Sequence, residues 1–465
     1  MESIEQTYVA WRGRYLRTYQ DGLYVFYKEP KENLPEMTCS EAHGYGMLIS
    51  VLKRNQMDFD GLFRYFLRWR NRKGLMQWQQ KTGHSGEFVA GDQGGENCAT
   101  DGDVDVATAL FLAAKVWGRG GPNGELDYRE AAVNLCGAIW EHCIHHETYM
   151  PLIGDWASPG DEAFLLTRPS DFILSGYLIF YLEDTQRAQQ WGHVVNAIVN
   201  TTQAQLSFNP QTGLLADFLK LDPNTRVYHP ARGEVLESEH DGDYNWNSCR
   251  VPWRLGHYYM LTRDERIRQL LETQAQFFAA QLARGGGGNG DCAIRAGYKL
   301  NGHSYADYTD MAFVAPVSFL FWVLGWQNQM HQVVQDMNSM EMTYFGESIA
   351  IVHTPTSLDV TFQWTRRNDS KLTQSLSAAT GLCMDPNSDR SQSKSYTTYW
   401  KTPSCRFFLR YQATEWAFSF IFTPKYSQSS TTLTKNNHLE QAPITIPLDV
   451  HQNITSHPKC PPILI

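Results

Sequence analysis

Carboxylates at short, regular spacing are the side chains in this sequence best suited to chemistry. In ENCATDGDVDVATALFLAAKVWG three aspartates, Asp101, Asp103 and Asp105, alternate just before an alanine-rich apolar run. Such a stretch fits a metal loop, a helix cap or an acid–base site. A calcium loop of the helix–loop–helix kind needs glycine at its sixth position and glutamate at its twelfth. Counted from Asp101, those positions hold Val106 and Leu112, which excludes it. Capping suits Asp103 or Asp105, whose carboxylate would accept the free N–H groups opening a helix over about 105–117. One cap accounts for one carboxylate and not for three. Upstream, TCSEAHGYGMLISVLKR sets Glu41 at the start of another apolar helix, followed by glycines that allow close backbone approach. A carboxyl there is either a simple N-terminal helix charge or a general acid whose pKa is raised by burial or by a neighbouring carboxylate.

Other reactive side chains carry less signal. His84, His145 and His146 show no HExxH spacing and read as surface or core-edge residues. The nine cysteines include no CxxC pair, so zinc spacing is absent and most read as buried free thiols. GGGGNG at 285–290 lacks the lysine and hydroxyl of a phosphate loop and reads as a flexible turn. No metal or cofactor is implied.

The elements that must hold these carboxylates are helices. Apolar residues recur at three- and four-residue spacing in SIEQTYVAWRGRYLRTY, HGYGMLISVLKR, FDGLFRYFLRWRN, DVDVATALFLAAKVWG and DYREAAVNLCGAIWEHCIHHE. They recur again in PSDFILSGYLIFYLED, QQWGHVVNAIVNTTQAQL, VPWRLGHYYMLT, RIRQLLETQAQFFAAQLA, FVAPVSFLFWVLG and FGESIAIVHTP. Gly, Pro and Asp cluster between them, as in GDWASPGDEAF. Helices in this number can close into a toroid with its loops at one end, or stack as irregular hairpins; no repeat period decides between the two. Residues 1–360 read as this helical unit. Residues 361–465 turn polar and Ser/Thr-rich, and SCRFFLRYQATEWAFSFIFTPKY has room for two short strands. That extension reads as a small β-rich appendage or a loosely ordered tail.

The bulk properties agree with a folded chain. It has 465 residues, 42% hydrophobic and 19% charged, with a net charge of -9 that disfavours a nucleic-acid partner. No run is long and apolar enough to span a membrane. The start shows no basic region followed by an apolar one, so no signal peptide is read there.

At these motifs the chain resembles glycoside hydrolase family 8. SEAHGYGM resembles the block around that family's catalytic acid, ATDGDVDVATALFLAAKVW its signature, and NSCRVPWRL its third block, in family order. WRGRYL, TRPSDF and YFGESIAI are shorter similarities, and the whole covers roughly residues 8–360. The resemblance implies an all-α (α/α)6 barrel followed by the C-terminal extension. It also implies an inverting endo-glycosidase without a cofactor, acting on a polysaccharide as a monomer, and it favours secretion.

Residue by residue, the resemblance makes Glu41 the proton donor and Asp101 the residue that holds the sugar at the cleavage subsite. Arg250 and Trp253 take places in the third block, and Tyr45 shapes the acid's pocket. Where many members carry an aspartate base, this chain has Asn247. One branch with that asparagine draws its base from an upstream inserted loop, and GEVLESEHDGDYNWNSCR is the matching segment here. Glu237 is the expected base and Glu239 its alternative, ahead of Asp241 and Asp243. Inversion calls for two carboxyl groups roughly 6.5–9.5 Å apart, with a water between them. Trp78, Trp156 and Trp246 are the aromatic platforms expected for sugar rings, each equally able to be core packing. That branch contains chitosanases and lichenases. The acidic charge tips the expectation to chitosan, with mixed-linkage β-glucan or cellulose as the alternative. An inactive carbohydrate-binding protein on the same fold is the second alternative, motivated by Asn247.

Overall fold

The computed structural model describes residues 4–27, 37–285 and 293–352, together with short strands between 401 and 419. The chain divides into two compact units, Glu2–Arg390 and Ser391–Leu464. The first holds twelve helices among its described residues: α1 Ile4–Tyr15, α2 Ser40–Leu52, α3 Gln56–Arg68, α4 Thr100–Trp117, α5 Tyr128–Cys143, α6 Leu174–Glu183, α7 Ala188–Gln205, α8 Val251–Thr262, α9 Glu265–Arg284, α10 Met311–Leu324, α11 Gln327–Met337 and α12 Tyr344–Val352.

The even-numbered helices form a closed ring. α2 packs on α4, α4 on α6, α6 on α8, α8 on α10, α10 on α12, and α12 returns to α2. Each odd-numbered helix lies outside one of them: α1 on α12, α3 on α2, α5 on α4, α7 on α6, α9 on α8 and α11 on α10. This is the (α/α)6 barrel. Sequence decides which helix goes where. MAFVAPVSFLFWVL of α10 is apolar all round and buried at nearly every position, as an inner helix must be. In α9 the buried residues Ile267, Leu270, Leu271, Gln274, Phe278 and Leu282 recur every three or four residues, leaving the charged face to water.

Inner and outer helices alternate along the chain, so the six inner helices run parallel and their N-termini gather at one end. Two three-stranded antiparallel sheets lie among the connections there. One joins β3 Met37–Cys39, β4 Gln79–Thr82 and β5 Phe88–Ala90, and β3 runs straight into α2. The other joins β6 Leu166–Thr167, β7 Leu219–Leu221 and β8 Tyr228–Pro230. The motif glycines set the closeness of α2 and α4: a Cβ on Gly102 would lie 2.5 Å from Ser40 Oγ, and one on Gly44 would lie 2.8 Å from Asp105 Cβ.

Several details depart from the sequence reading. The first helix ends at Tyr15, because Leu16–Tyr19 leaves as strand β1 to pair with β2 Gly22–Val25. Helix α11 has no counterpart among the expected helices. Its sequence QNQMHQVVQDM is polar and buries only Met330 and Val333, too short a stripe to read. Helix α4 opens at Thr100, five residues earlier than expected, with Ala99 before it and no side-chain cap. Neither Asp103 nor Asp105 is therefore a cap; both lie inside the helix with other partners.

In the second unit, β9 Lys401–Thr402 pairs with β10 Cys405–Arg406, and β11 Phe408–Gln412 pairs with β12 Glu415–Ser419, both antiparallel. The expected boundary near 360 and most of the glycine run at 285–290 lie outside the described residues. Cys39, Cys98, Cys136, Cys143 and Cys249 are buried free thiols. Among the described residues, no helix is long and apolar enough to cross a membrane.

Candidate active site

Three parallel inner helices deliver the central charges. Glu41 is in the first turn of α2, Asp101 in the first turn of α4, and Arg250 in the 3-10 turn Ser248–Arg250 that leads into α8. One guanidinium nitrogen, Arg250 Nη1, bridges both carboxylates: it donates to Glu41 Oε2 and, at 2.9 Å, to Asp101 Oδ2. All three side chains are buried.

Two carboxyls sharing one cation leave room for one proton, and the surroundings decide its place. Burial pushes Glu41 up to about 7, opposed by Arg250 and reinforced by the Asp101 charge. Burial also acts upward on Asp101, but the guanidiniums of Arg250, Arg168 and Arg254 outweigh it and hold that carboxyl below its ordinary range. These opposite shifts favour the proton on Glu41 over Asp101.

The other carboxyl comes from the loop between β8 and α8. Glu237 Oε2 accepts a 2.8 Å hydrogen bond from Asn247 Nδ2, and Asn247 Oδ1 accepts one of 2.8 Å from Arg250 Nη2. Arg250 can only donate, so the amide oxygen must face it and the amide nitrogen must face Glu237. The result is a continuous path Glu41–Arg250–Asn247–Glu237. A guanidinium and an amide stand between the two glutamates, which do not touch. Burial pushes Glu237 up to about 8, against the pull of Arg168 at 3.3 Å. Glu239, two residues on, is exposed. Asn247 is itself held by the buried Asp217, which accepts the main-chain N–H groups of Asn245, Asn247 and Ser248.

The expected aromatic contacts divide by burial. Tyr45, Trp78 and Trp253 are buried, which accords with packing roles. Tyr45 and Trp253 meet edge to face at 5.9 Å inside the barrel, with Arg254 4.0 Å over the Trp253 ring. Trp78 is 3% exposed and its indole N–H donates to the Gln93 carbonyl. Trp156 and Trp246 keep part of their surface open. Trp246 rests edge-on against Phe313 at 5.1 Å, beside the residues that carry Asn247 and Arg250. Trp156 follows Asp155, whose carboxylate accepts the Cys98 N–H just upstream of Asp101.

The remaining aspartates of the signature are structural. Asp103 Oδ1 accepts the Met76 N–H at 2.9 Å. Asp105 forms a buried bidentate pair with Arg254, at 2.9 and 2.6 Å. Substituting Arg254→Met leaves that carboxylate buried without its counter-charge, at an expected cost of about 3–5 kcal/mol. Urea denaturation checks this; an unchanged midpoint would remove the pair from the forces holding α4 to α8.

Two site residues were missed. Arg168 is buried beside Glu237, and Asp171, three residues on, is pushed up to about 7 by burial and by Asp101. An arginine and an aspartate inside the apolar stretch LLTRPSDFILSGYL are a readable sign of a buried polar pair, yet TRPSDF was matched without a role. Among the described residues, no three His, Cys, Asp or Glu side chains converge as a metal-ligand set.

The parallel inner helices thus bring Glu41 and Asp101 together, and a loop carries Glu237 to the far side of the Arg250–Asn247 spacer. The chain matches the family model for glycosyl hydrolases family 8 over residues 10–354 and belongs to that family. It is an endo-acting glycoside hydrolase. A β-glucanase of Niallia circulans is 33% identical over 326 residues, covering 68% of this chain and 73% of the relative. Endoglucanase A of Acetivibrio thermocellus is 28% identical, covering 68% and 60%. Among solved structures, the β-1,3-1,4-glucanase from Paenibacillus sp. X4 superposes with a TM-score of 0.67 at 30% identity, over 78% of this chain and 91% of that one. A cold-adapted family 8 xylanase superposes with a TM-score of 0.63 at 17% identity, over 78% and 90%, a likeness of fold.

Proposed function

We propose that this chain hydrolyses internal bonds of mixed-linkage β-1,3-1,4-glucan with inversion, using Glu41 as general acid and Glu237 as general base. The observation that carries the mechanism is the path from Glu41 through Arg250 and Asn247 to Glu237. It supplies two carboxyls on separate elements, kept apart by groups that cannot take a proton at neutral pH. Glu41 gives its proton to the leaving glycosidic oxygen as the bond from the anomeric carbon breaks. Glu237, ionised, takes a proton from a water that attacks that carbon from the opposite face. Asp101 remains an anion beside the positive charge that develops on the ring. Buried polar atoms without a hydrogen-bond partner include Arg168 Nε and Nη1, Asp171 Oδ2 and Glu237 Oε1. With Glu237 read as the base, the substitution at Asn247 does not favour an inactive carbohydrate-binding protein.

The choice of glucan over chitosan rests on two supports. The relatives at 30% identity or more are named for β-glucan. Three carboxylates around the centre are also committed: Asp105 to Arg254, Asp217 to main-chain amides, and Asp243 to His240 and Lys299. A polycationic chitosan needs free anions facing its amino groups. Incubation with mixed-linkage β-glucan, chitosan and carboxymethylcellulose is expected to release reducing ends fastest from the first, and NMR of the fresh product to show the α-anomer. Faster release from chitosan would return the substrate to that polymer, and β-anomeric product would remove inversion.

A further inference from the structure

We infer that Asp241 is the positioning residue of the base: its carboxylate is the template around which the loop carrying Glu237 folds. This rests on the reading of Glu237 as base. Asp241 is 1% exposed. Its Oδ2 accepts the main-chain N–H groups of Val235 at 2.8 Å, Leu236 at 2.7 Å and Glu237 at 3.0 Å, and its Oδ1 accepts that of Ser238 at 2.9 Å. Four consecutive amides, that of Glu237 among them, converge on one anion. Residues 235–238 belong to no helix or strand, so this carboxylate takes the place of regular backbone pairing. Bonds from amides to a carboxylate are charge-assisted and stronger than amide–carbonyl bonds.

The template is tied to the rest of the site through the main chain. The Asp241 carbonyl accepts the Phe218 N–H at 2.9 Å, and the Asp217 N–H donates to the Asp243 carbonyl at 2.8 Å. The Asp217 carboxylate in turn holds the Asn247 N–H at 3.0 Å. The backbones of Glu237 and Asn247 are thus referenced to the same two residues, which is how the Asn247 amide meets Glu237 Oε2 at 2.8 Å. The wrapping also separates Glu237 from Glu239: the four wrapped residues end at Ser238, and Glu239 faces solvent. The Asp241 charge lies close enough to act upward on the Glu237 pKa.

Asp241→Asn tests this. An amide offers one acceptor oxygen and turns its NH2 toward amides that can only donate, so the loop loses part of its wrapping. The expected result on polymer is a fall in kcat of about 100-fold, the scale of a reacting group misplaced by about 1 Å, with KM changed less than about two-fold. The optimum of the kcat/KM pH profile should move to lower pH, because an anion beside Glu237 is gone and the Glu237 pKa falls. A purely structural role would lower the amount of folded enzyme and leave both limbs in place. Glu237→Gln is measured in parallel. If it keeps wild-type activity, the base assignment fails first. If it is inactive while Asp241→Asn matches wild type in kcat and pH profile, the inference alone is overturned. Should Asp241→Asn not fold, amide hydrogen exchange in the wild type decides: slow exchange at 235–238 supports the template, and exchange at unstructured-chain rates overturns it.

Discussion

Replacing Glu237 by glutamine is expected to lower kcat on β-glucan by about 10²–10⁴-fold, the range of a lost general base, with little change in KM. The amide preserves the contact with Asn247 but cannot accept a proton from water. A small anion such as azide, added to Glu237→Ala, should recover part of the rate by replacing the water as nucleophile, because no base is then required. The pH profile carries the same information. Glu237 must be ionised and Glu41 protonated, so the rate rises with pH as Glu237 loses its proton and falls as Glu41 does. Glu41 is pushed up to about 7 and Glu237 to about 8, the reverse of the order their roles require, so the competent form is a minor population and the limbs of the bell break near these two values. The wild type should lose about ten-fold in rate per pH unit well below them. Full activity of Glu237→Gln, or a wild-type optimum near pH 4, would remove Glu237 from the role of base.

Replacing Glu41 by glutamine should cost a similar factor, about 10²–10⁴-fold in kcat on polymer, but the two losses differ in what relieves them. An aryl glycoside whose phenol leaves without protonation needs no acid, so Glu41→Gln should approach wild-type rates on it, whereas Glu237→Gln should remain slow. On that substrate Glu41→Gln should also lose the falling limb of the pH profile and keep the rising one. A loss that persists in full on the activated substrate would place Glu41 in binding or folding instead, through its contact with Arg250. Asp101 shares that contact and would then be the residue to examine.

Much of the barrel was legible because burial on all sides leaves a compositional mark. Helices such as MAFVAPVSFLFWVL and SEAHGYGMLISVL cannot be stable unless surrounded, and the one-sided stripes of the outer helices state which face turns inward. Where the stripe is short, as in α11, the helix went unread. Asn247 in place of an acid was equally plain in the sequence, and it directed attention to the carboxylates just upstream. The aromatic platforms were not legible in this way. Trp78, Trp156 and Trp246 share one residue type, and only packing showed Trp78 closed off and the other two partly open.

Residue type and motif order determined the fold, the membership of Glu41 and Asp101 in one site, and the need for a base from elsewhere. Tertiary structure decided the rest. Which of Glu237 and Glu239 turns inward depends on four amides closing around Asp241. Which of Glu41 and Asp101 carries the proton depends on burial at Glu41 and on Arg250, Arg168 and Arg254 around Asp101, all distant in sequence. Arg168 and Asp171 enter the site only when α6 is folded beside α4 and α8. Each of these outcomes is set by charge and burial at short range between segments distant in sequence. Coulombic and desolvation energies change within a few ångströms, and no spacing along a chain encodes that distance until the barrel closes.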